Sequence, residues 1–167
     1  MPTQFDYRHT WSFPADEVYP TMVEADFLRA RLEQIGGPGA ALLEHSVDAD
    51  GARYRLRQGV DPQNLPSLVR TVLPGDVVIE REESWRRDGP GSYTGDTRVT
   101  IPGTPGSATG VMRLRDAGEG SELHIRIEVT VKVPLIGGKI EEMVTGQVTG
   151  LLESESTFTQ DWLARRR

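Results

Sequence analysis

Few residues in this chain could carry acid–base chemistry. The histidines are His9, His45 and His124, and cysteine is absent, so a thiolate nucleophile and a thiolate metal site are both excluded. His9 and His45 share parity with the inward apolar residues of their strands, and His124 points outward. Each is read first as a strand histidine buried by satisfying hydrogen bonds. The alternative is a general acid or base, which needs a cleft and a perturbed pKa. No two histidines have ligand spacing, so neither a metal site nor a cofactor is expected. The Gly-x-Ser-x-Gly elbow, the dinucleotide fingerprint and the His-Glu-x-x-His motif are all missing.

Arg81 and Glu83 alternate in phase with Val77, Ile79 and Trp85. If that parity holds, a charged pair faces inward and could anchor a polar head group, with Glu83 as a third acid–base candidate. A β-bulge would return both to solvent. We expect the bulge, because without it Val78 stands alone among Glu80 and Glu82 on the outer face. Gly137-Gly138-Lys139 precedes a helix but lacks phosphate-loop spacing, and reads as a flexible helix entry. The basic tail Arg165-Arg166-Arg167 suits a helix C-terminus.

The elements that would position these residues are legible from periodicity. Gln4 to Phe13 alternates as a half-buried strand. Two short helices follow, one opening at Pro14 and one over Glu24 to Ile35, stopped by Gly36-Gly37-Pro38-Gly39. Six strands come next: Ala41–Val47, Ala52–Val60, Val77–Trp85, Ser92–Ile101, Ala108–Leu114 and Glu122–Val133. The last is the clearest, with Leu123, Ile125, Ile127, Val129 and Val131 against His124, Arg126, Glu128 and Thr130. Short connections and one apolar face per strand predict an antiparallel sheet covered on one side. Between the third and fourth strands, Leu65, Leu68, Val69, Val72 and Leu73 predict a short amphipathic helix, either a lid or ordinary packing. From Gly137 to Trp162 apolar residues keep helix spacing for about 39 Å. This long helix carries Glu141, Glu142, Glu153 and Glu155 on its other face, too polar to be buried all round, so it must lie across the sheet.

With 167 residues, the chain reads as one domain spanning 1–167, with 37% hydrophobic and 26% charged residues. A net charge of −6 argues against nucleic acid as a partner. No apolar run approaches the roughly 20 residues of a membrane span, and no secretory signal opens the chain, so stable membrane insertion is not expected and the cytoplasm is the default compartment. The fold class is α+β: a seven-stranded curved antiparallel sheet around a long C-terminal helix, two short helices closing one end.

This order resembles the helix-grip fold of the START-like superfamily, the group that includes the birch-pollen allergens, polyketide cyclases and lipid-transport proteins. The phrase Phe13-Pro14-Ala15-Asp16-Glu17-Val18-Tyr19 looks like that group's first helix start. Glu82-Glu83-Ser84-Trp85, Val133-Pro134-Leu135-Ile136-Gly137-Gly138-Lys139-Ile140-Glu141 and Phe158-Thr159-Gln160-Asp161-Trp162-Leu163 resemble a bacterial domain-of-unknown-function family, number 2505, within it.

The resemblance implies a hydrophobic-ligand cavity between sheet and long helix. Inward parity assigns Tyr54, Leu56, Trp85, Tyr93, Met112, Ile127 and Val129 to its sheet side, and Met143, Gln147, Gly150 and Ser154 to its helix side. Gly146 and Gly150 are unfavourable inside a helix, and room for a ligand would account for them, as would close backbone packing. Three functions fit. One is a binder of a hydrophobic small molecule or lipid. Another is a cyclase- or dehydratase-type enzyme using His9, His45 or Glu83, and the third is a non-catalytic interaction module.

Overall fold

The computed structural model describes residues 2–72 and 77–166. The strands are β1 (Thr3–Trp11), β2 (Ala41–Val47), β3 (Gly51–Val60), β4 (Val77–Gly89), β5 (Ser92–Thr100), β6 (Gly106–Ala117) and β7 (Gly120–Val131). The helices are α1 (Ala15–Met22), α2 (Ala25–Ile35), α3 (Ser67–Val72) and α4 (Gly137–Arg166). The strands form one sheet in the order β1-β7-β6-β5-β4-β3-β2, with every pairing antiparallel. From β2 to β7 the order is sequential, by short hairpins except between β3 and β4, where residues 61–76 carry α3; Gly118, at φ 59°, opens the two-residue turn between β6 and β7.

The expected architecture is present, and the differences lie at element ends. β1 stops at Trp11 and β7 at Val131, each two residues earlier than alternation indicates. α4 runs on to Arg166, because no glycine or proline follows Gly150 to stop it. Its length of 30 residues gives about 45 Å.

One face of the sheet is wrapped on α4. Tyr7, Trp11, Leu56, Trp85, Met112, Leu114, Ile125 and Val129 are buried on that face. Glycine makes the curvature compatible with large side chains at one position: Gly95 lies opposite Trp85, and a Cβ there would meet the Ser84 carbonyl at 2.5 Å and the indole at 3.0 Å. α1 and α2 close one end, where Phe27 meets Trp162 edge-on at 5.5 Å and Tyr19 stacks on Tyr93 at 4.0 Å.

Three attachments fix the helix over the sheet. The buried Glu141 carboxylate accepts from Thr3 Oγ1 at 2.9 Å and from the Val131 amide at 2.8 Å. The Tyr7 hydroxyl bonds Ser156 Oγ at 2.8 Å, and Trp11 Nε1 donates to the Ser156 carbonyl at 3.0 Å. The third is the Glu155 carboxylate. These contacts set the rotational phase of α4, with Ile140, Val144, Val148 and Leu152 toward the sheet.

That phase corrects two expectations. Glu141 and Glu155, assigned to the outward polar face, are buried because both carboxylates find partners inside, and the small-residue edge expected to face the interior does not. Gly146, Gln147, Gly150 and Ser154 are exposed, and a Cβ at either glycine would meet nothing within 4 Å. The helix therefore carries two glycines in its interior without a packing reason. Gly146→Ala and Gly150→Ala should each raise stability by about 0.5–1 kcal/mol, read from urea denaturation. A loss at either position would show that this face is covered after all.

Candidate functional site

The interior carries an unusual charge. Arg31, Gln58, Arg81, Glu83 and Glu155 are all buried, on five positions of α2, β3, β4 and α4. The expected bulge at Arg81 and Glu83 is absent: β4 pairs with β3 without a register break from Val77 to Arg86. Both side chains face inward, and Val78 is simply left 38% exposed on the outer face. A lone exposed valine is an ordinary feature of protein surfaces, and it carries less weight than two charges finding partners.

Arg81 and Glu83 partner each other, and their remaining partners come from distant parts of the chain. Arg81 Nε donates to Glu83 Oε2 at 2.9 Å, and Nη1 to Glu155 Oε2 at 2.7 Å. Arg31 Nη1 lies 3.7 Å from Glu155 Oε1. The Tyr54 hydroxyl donates to Glu83 Oε1 at 2.7 Å, and Gln58 Nε2 reaches Glu155 Oε2 at 3.5 Å. Burial alone would raise the Glu155 pKa, but Arg31 and Arg81 outweigh it and hold the carboxyl down at about 2. Burial opposes the Arg81 charge, and Glu155 and Glu83 more than offset it, so the guanidinium is held protonated. Burial, reinforced by the neighbouring Glu83 charge, pushes the Tyr54 hydroxyl well above its usual range.

Beside this cluster, between the sheet and the first half of α4, lies a cavity of about 140 Å³. Its walls are Ile79, Val99, Ile101, Ala108, Ile127 and Val129 from the strands and the following turn, with Ile140, Val144, Val148, Leu151 and Leu152 from α4. Gln58, Arg81, Glu83, Thr97, Ser107 and Thr109 are its polar members, and Pro105 at its rim is exposed. A second, smaller cavity of about 30 Å³ shares Arg81, Glu83, Ile125 and Leu152 with the first. Two wider grooves lie on solvent faces, one on the convex side of the sheet and one along Gly150, Glu153 and Asp161 of α4.

The residues assigned from parity divide among these places. Ile127 and Val129 line the larger cavity. Tyr54, Trp85 and Met112 line the smaller one. Leu56 and Tyr93 are packed in the core. Met143 is half-buried and outside both cavities, while Gln147 and Gly150 face solvent, so the helix wall is the aliphatic row from Ile140 to Leu152 instead.

The three acid–base candidates are not brought together. His45 Nε2 donates to the Val23 carbonyl at 2.7 Å and ties β2 to the end of α1. His9 sits edge-on to Trp11 at 5.1 Å, with its pKa lowered by burial. Neither lines a cavity; Glu83 lines both. His124 bonds Asp6 at 2.8 Å on the outer face. Among the described residues no group of three His, Asp or Glu could hold a metal ion, and no helix is long and apolar enough to cross a membrane. In the segment that could act as a lid, Val69 is buried and α3 packs near α4, and Leu65, Leu68 and Val69 stay out of the cavity wall; Leu73 lies outside the described residues. Arg31 and Glu155 were not foreseen as site residues. A buried-looking arginine among Phe27, Leu28 and Leu32 was the available signal for the first.

The family model described as Protein of unknown function (DUF2505) matches residues 6–163. The chain belongs to this family. An uncharacterised protein of Mycobacterium tuberculosis is 30% identical over 170 residues, covering 98% of each chain. Among solved structures, norcoclaurine synthase from Thalictrum flavum aligns with TM-score 0.59 at 13% identity, over 98% of this chain and 87% of that one. Ara h 8.0201 aligns with TM-score 0.61 at 12% identity, over 96% and 99%. At such identities the likeness is one of fold, and this DUF2505 protein has the helix-grip fold.

The pKa of Glu155 has a direct consequence. It is depressed from 4.5 to about 2, so its contribution to stability is complete above pH 4.5 and lost as the pH falls toward 2. The wild-type protein should lose on the order of 3 kcal/mol over that window. In Glu155→Gln the decline should be shallower, starting from a lower stability at neutral pH. Urea denaturation at a series of pH values reads both; parallel profiles would show that Glu155 does not titrate with folding.

Proposed function

We propose that this DUF2505 protein binds a compact hydrophobic small molecule, or the apolar end of a lipid, between the sheet and α4. The observation that carries this reading is the cavity of about 140 Å³ with aliphatic walls on both sides. Its size is near the ~150 Å³ apolar cavity that takes up benzene, and below the ~300 Å³ at which drug-sized pockets begin. The ligand, or the part of it enclosed, is therefore about one ring or a short acyl segment. Driving force comes from removing apolar surface from water, roughly 25 cal/mol per Å².

Binding is better supported than catalysis. Glu83 is the acid–base candidate in the cavity wall, and both of its oxygens already accept hydrogen bonds, from Tyr54 and from Arg81. A base so engaged must first break an ion pair to take a proton.

Ala108 offers a direct test, since it is half-buried in the cavity wall and faces Val99 and Val129 across the sheet. Ala108→Leu fills the space that a ligand would use. Affinity for a small aromatic hydrocarbon such as ethylbenzene should fall at least tenfold, with the urea midpoint little changed. Native mass spectrometry of the wild-type protein should show a co-purifying apolar compound. Failure of the wild type to take up any apolar probe at its solubility limit would sink the proposal.

A further inference from the structure

The charge balance of the buried cluster restricts what the polar end of the site accepts, an inference that rests on the binding reading above. Arg31 and Arg81 stand against Glu83 and Glu155, and the positive and negative charges cancel. A carboxylate or ammonium brought beside them would leave one buried charge uncompensated, which is strongly unfavourable.

Hydrogen-bonding capacity is not balanced in the same way. Both oxygens of Glu83 are engaged, and Glu155 has one oxygen on Arg81 and the other facing Arg31. On the donor side, Arg31 Nε and Nη2 and Trp85 Nε1 are buried with no partner. These groups can only donate. Arg31 and Trp85 are each 4% exposed, and both line the smaller cavity of about 30 Å³. That volume suits one carbonyl oxygen, or one or two waters. The Arg81–Glu83 pair lies in the wall that this cavity shares with the aliphatic one. Thr97 Oγ1, also buried and unpartnered, belongs to a residue of the aliphatic cavity wall and adds a further polar contact for the same ligand.

We propose that the smaller cavity is a subsite for an uncharged hydrogen-bond acceptor, the carbonyl oxygen of a ketone, ester or amide whose apolar body fills the larger cavity. The carbonyl oxygen meets the unpartnered donors past the Arg81–Glu83 pair, in the wall that the two cavities share. A charged fatty acid or an amine is discriminated against by the neutrality of the cluster.

Four probes built on one ring test this in the full chain by protein-observed NMR titration at neutral pH: ethylbenzene, acetophenone, benzoate and benzylamine. Acetophenone should bind roughly three- to tenfold tighter than ethylbenzene, the worth of one net hydrogen bond. Benzoate and benzylamine should bind more weakly than ethylbenzene. In Trp85→Phe the acetophenone-to-ethylbenzene ratio should fall toward one; if that variant does not fold, the wild-type ranking decides alone. Equal affinity for acetophenone and ethylbenzene, or benzoate binding as tightly as acetophenone, overturns the subsite while leaving the apolar cavity reading intact. Absence of binding by all four probes overturns both.

Discussion

The Glu155 carboxylate is the constraint on which the rest of the structure depends. It sits just past the midpoint of α4, buried, and meets Arg31 from α2, Arg81 from β4 and Gln58 from β3. A charge so placed is not the most stabilising filling for a core; aliphatic replacements of buried ion pairs are often neutral or better. What it supplies is geometry. An ionised carboxylate must satisfy its lone pairs, so α4 has one rotational setting in which Glu155 reaches both guanidinium groups. Glu141 and Ser156 agree with that setting from either side. The sheet wraps a helix whose angle and depth are held by polar contacts. Space remains where the contacts leave it, along the aliphatic row ahead of Leu152.

The interior is thereby divided by chemistry. On one side of the Arg81–Glu83 pair the walls are aliphatic. On the other, Tyr54, Trp85, Arg31 and Glu155 surround a small polar space. A hydrogen bond or ion pair in such surroundings is stronger than in water, and an unpaired polar group is correspondingly less tolerable. On the proposed reading, a ligand there would be selected sharply by polarity at one end and loosely by shape at the other.

The strands were legible in the sequence because the sheet has one apolar face, and β7 in particular alternates without exception from Leu123 to Val131. The long helix was legible as an element but not in its orientation. Four of its inward residues, Glu141, Glu155, Ser156 and Thr159, are polar, so apolar spacing alone blurs which stripe faces the sheet. Glycine and serine at 146, 150 and 154 then pass for an interior edge when they are a solvent face. Arg81 and Glu83 were misjudged for a related reason. Local alternation placed them inside, and the two pair with each other, but the network that completes them runs through Glu155 and on to Arg31, 74 residues after and 50 before Arg81. No window on the sequence joins those positions; only the closed fold does.

The pairing of β1 with β7 bears on how the protein assembles. Thr3 lies opposite Val129, so the first strand waits for nearly the whole meander before it gains a neighbour. The strands from β2 to β7 each pair with the next strand in sequence, across short turns except for the segment carrying α3 between β3 and β4. β1 closes only across a long loop, and such non-local contacts slow folding. During synthesis, Tyr7 and Trp11 have neither β7 nor Ser156 to cover them, and exposed aromatic strands of this kind invite aggregation. Glu155 lies on the last element of the chain, so the cavity between sheet and helix has both its walls only once that element has been made.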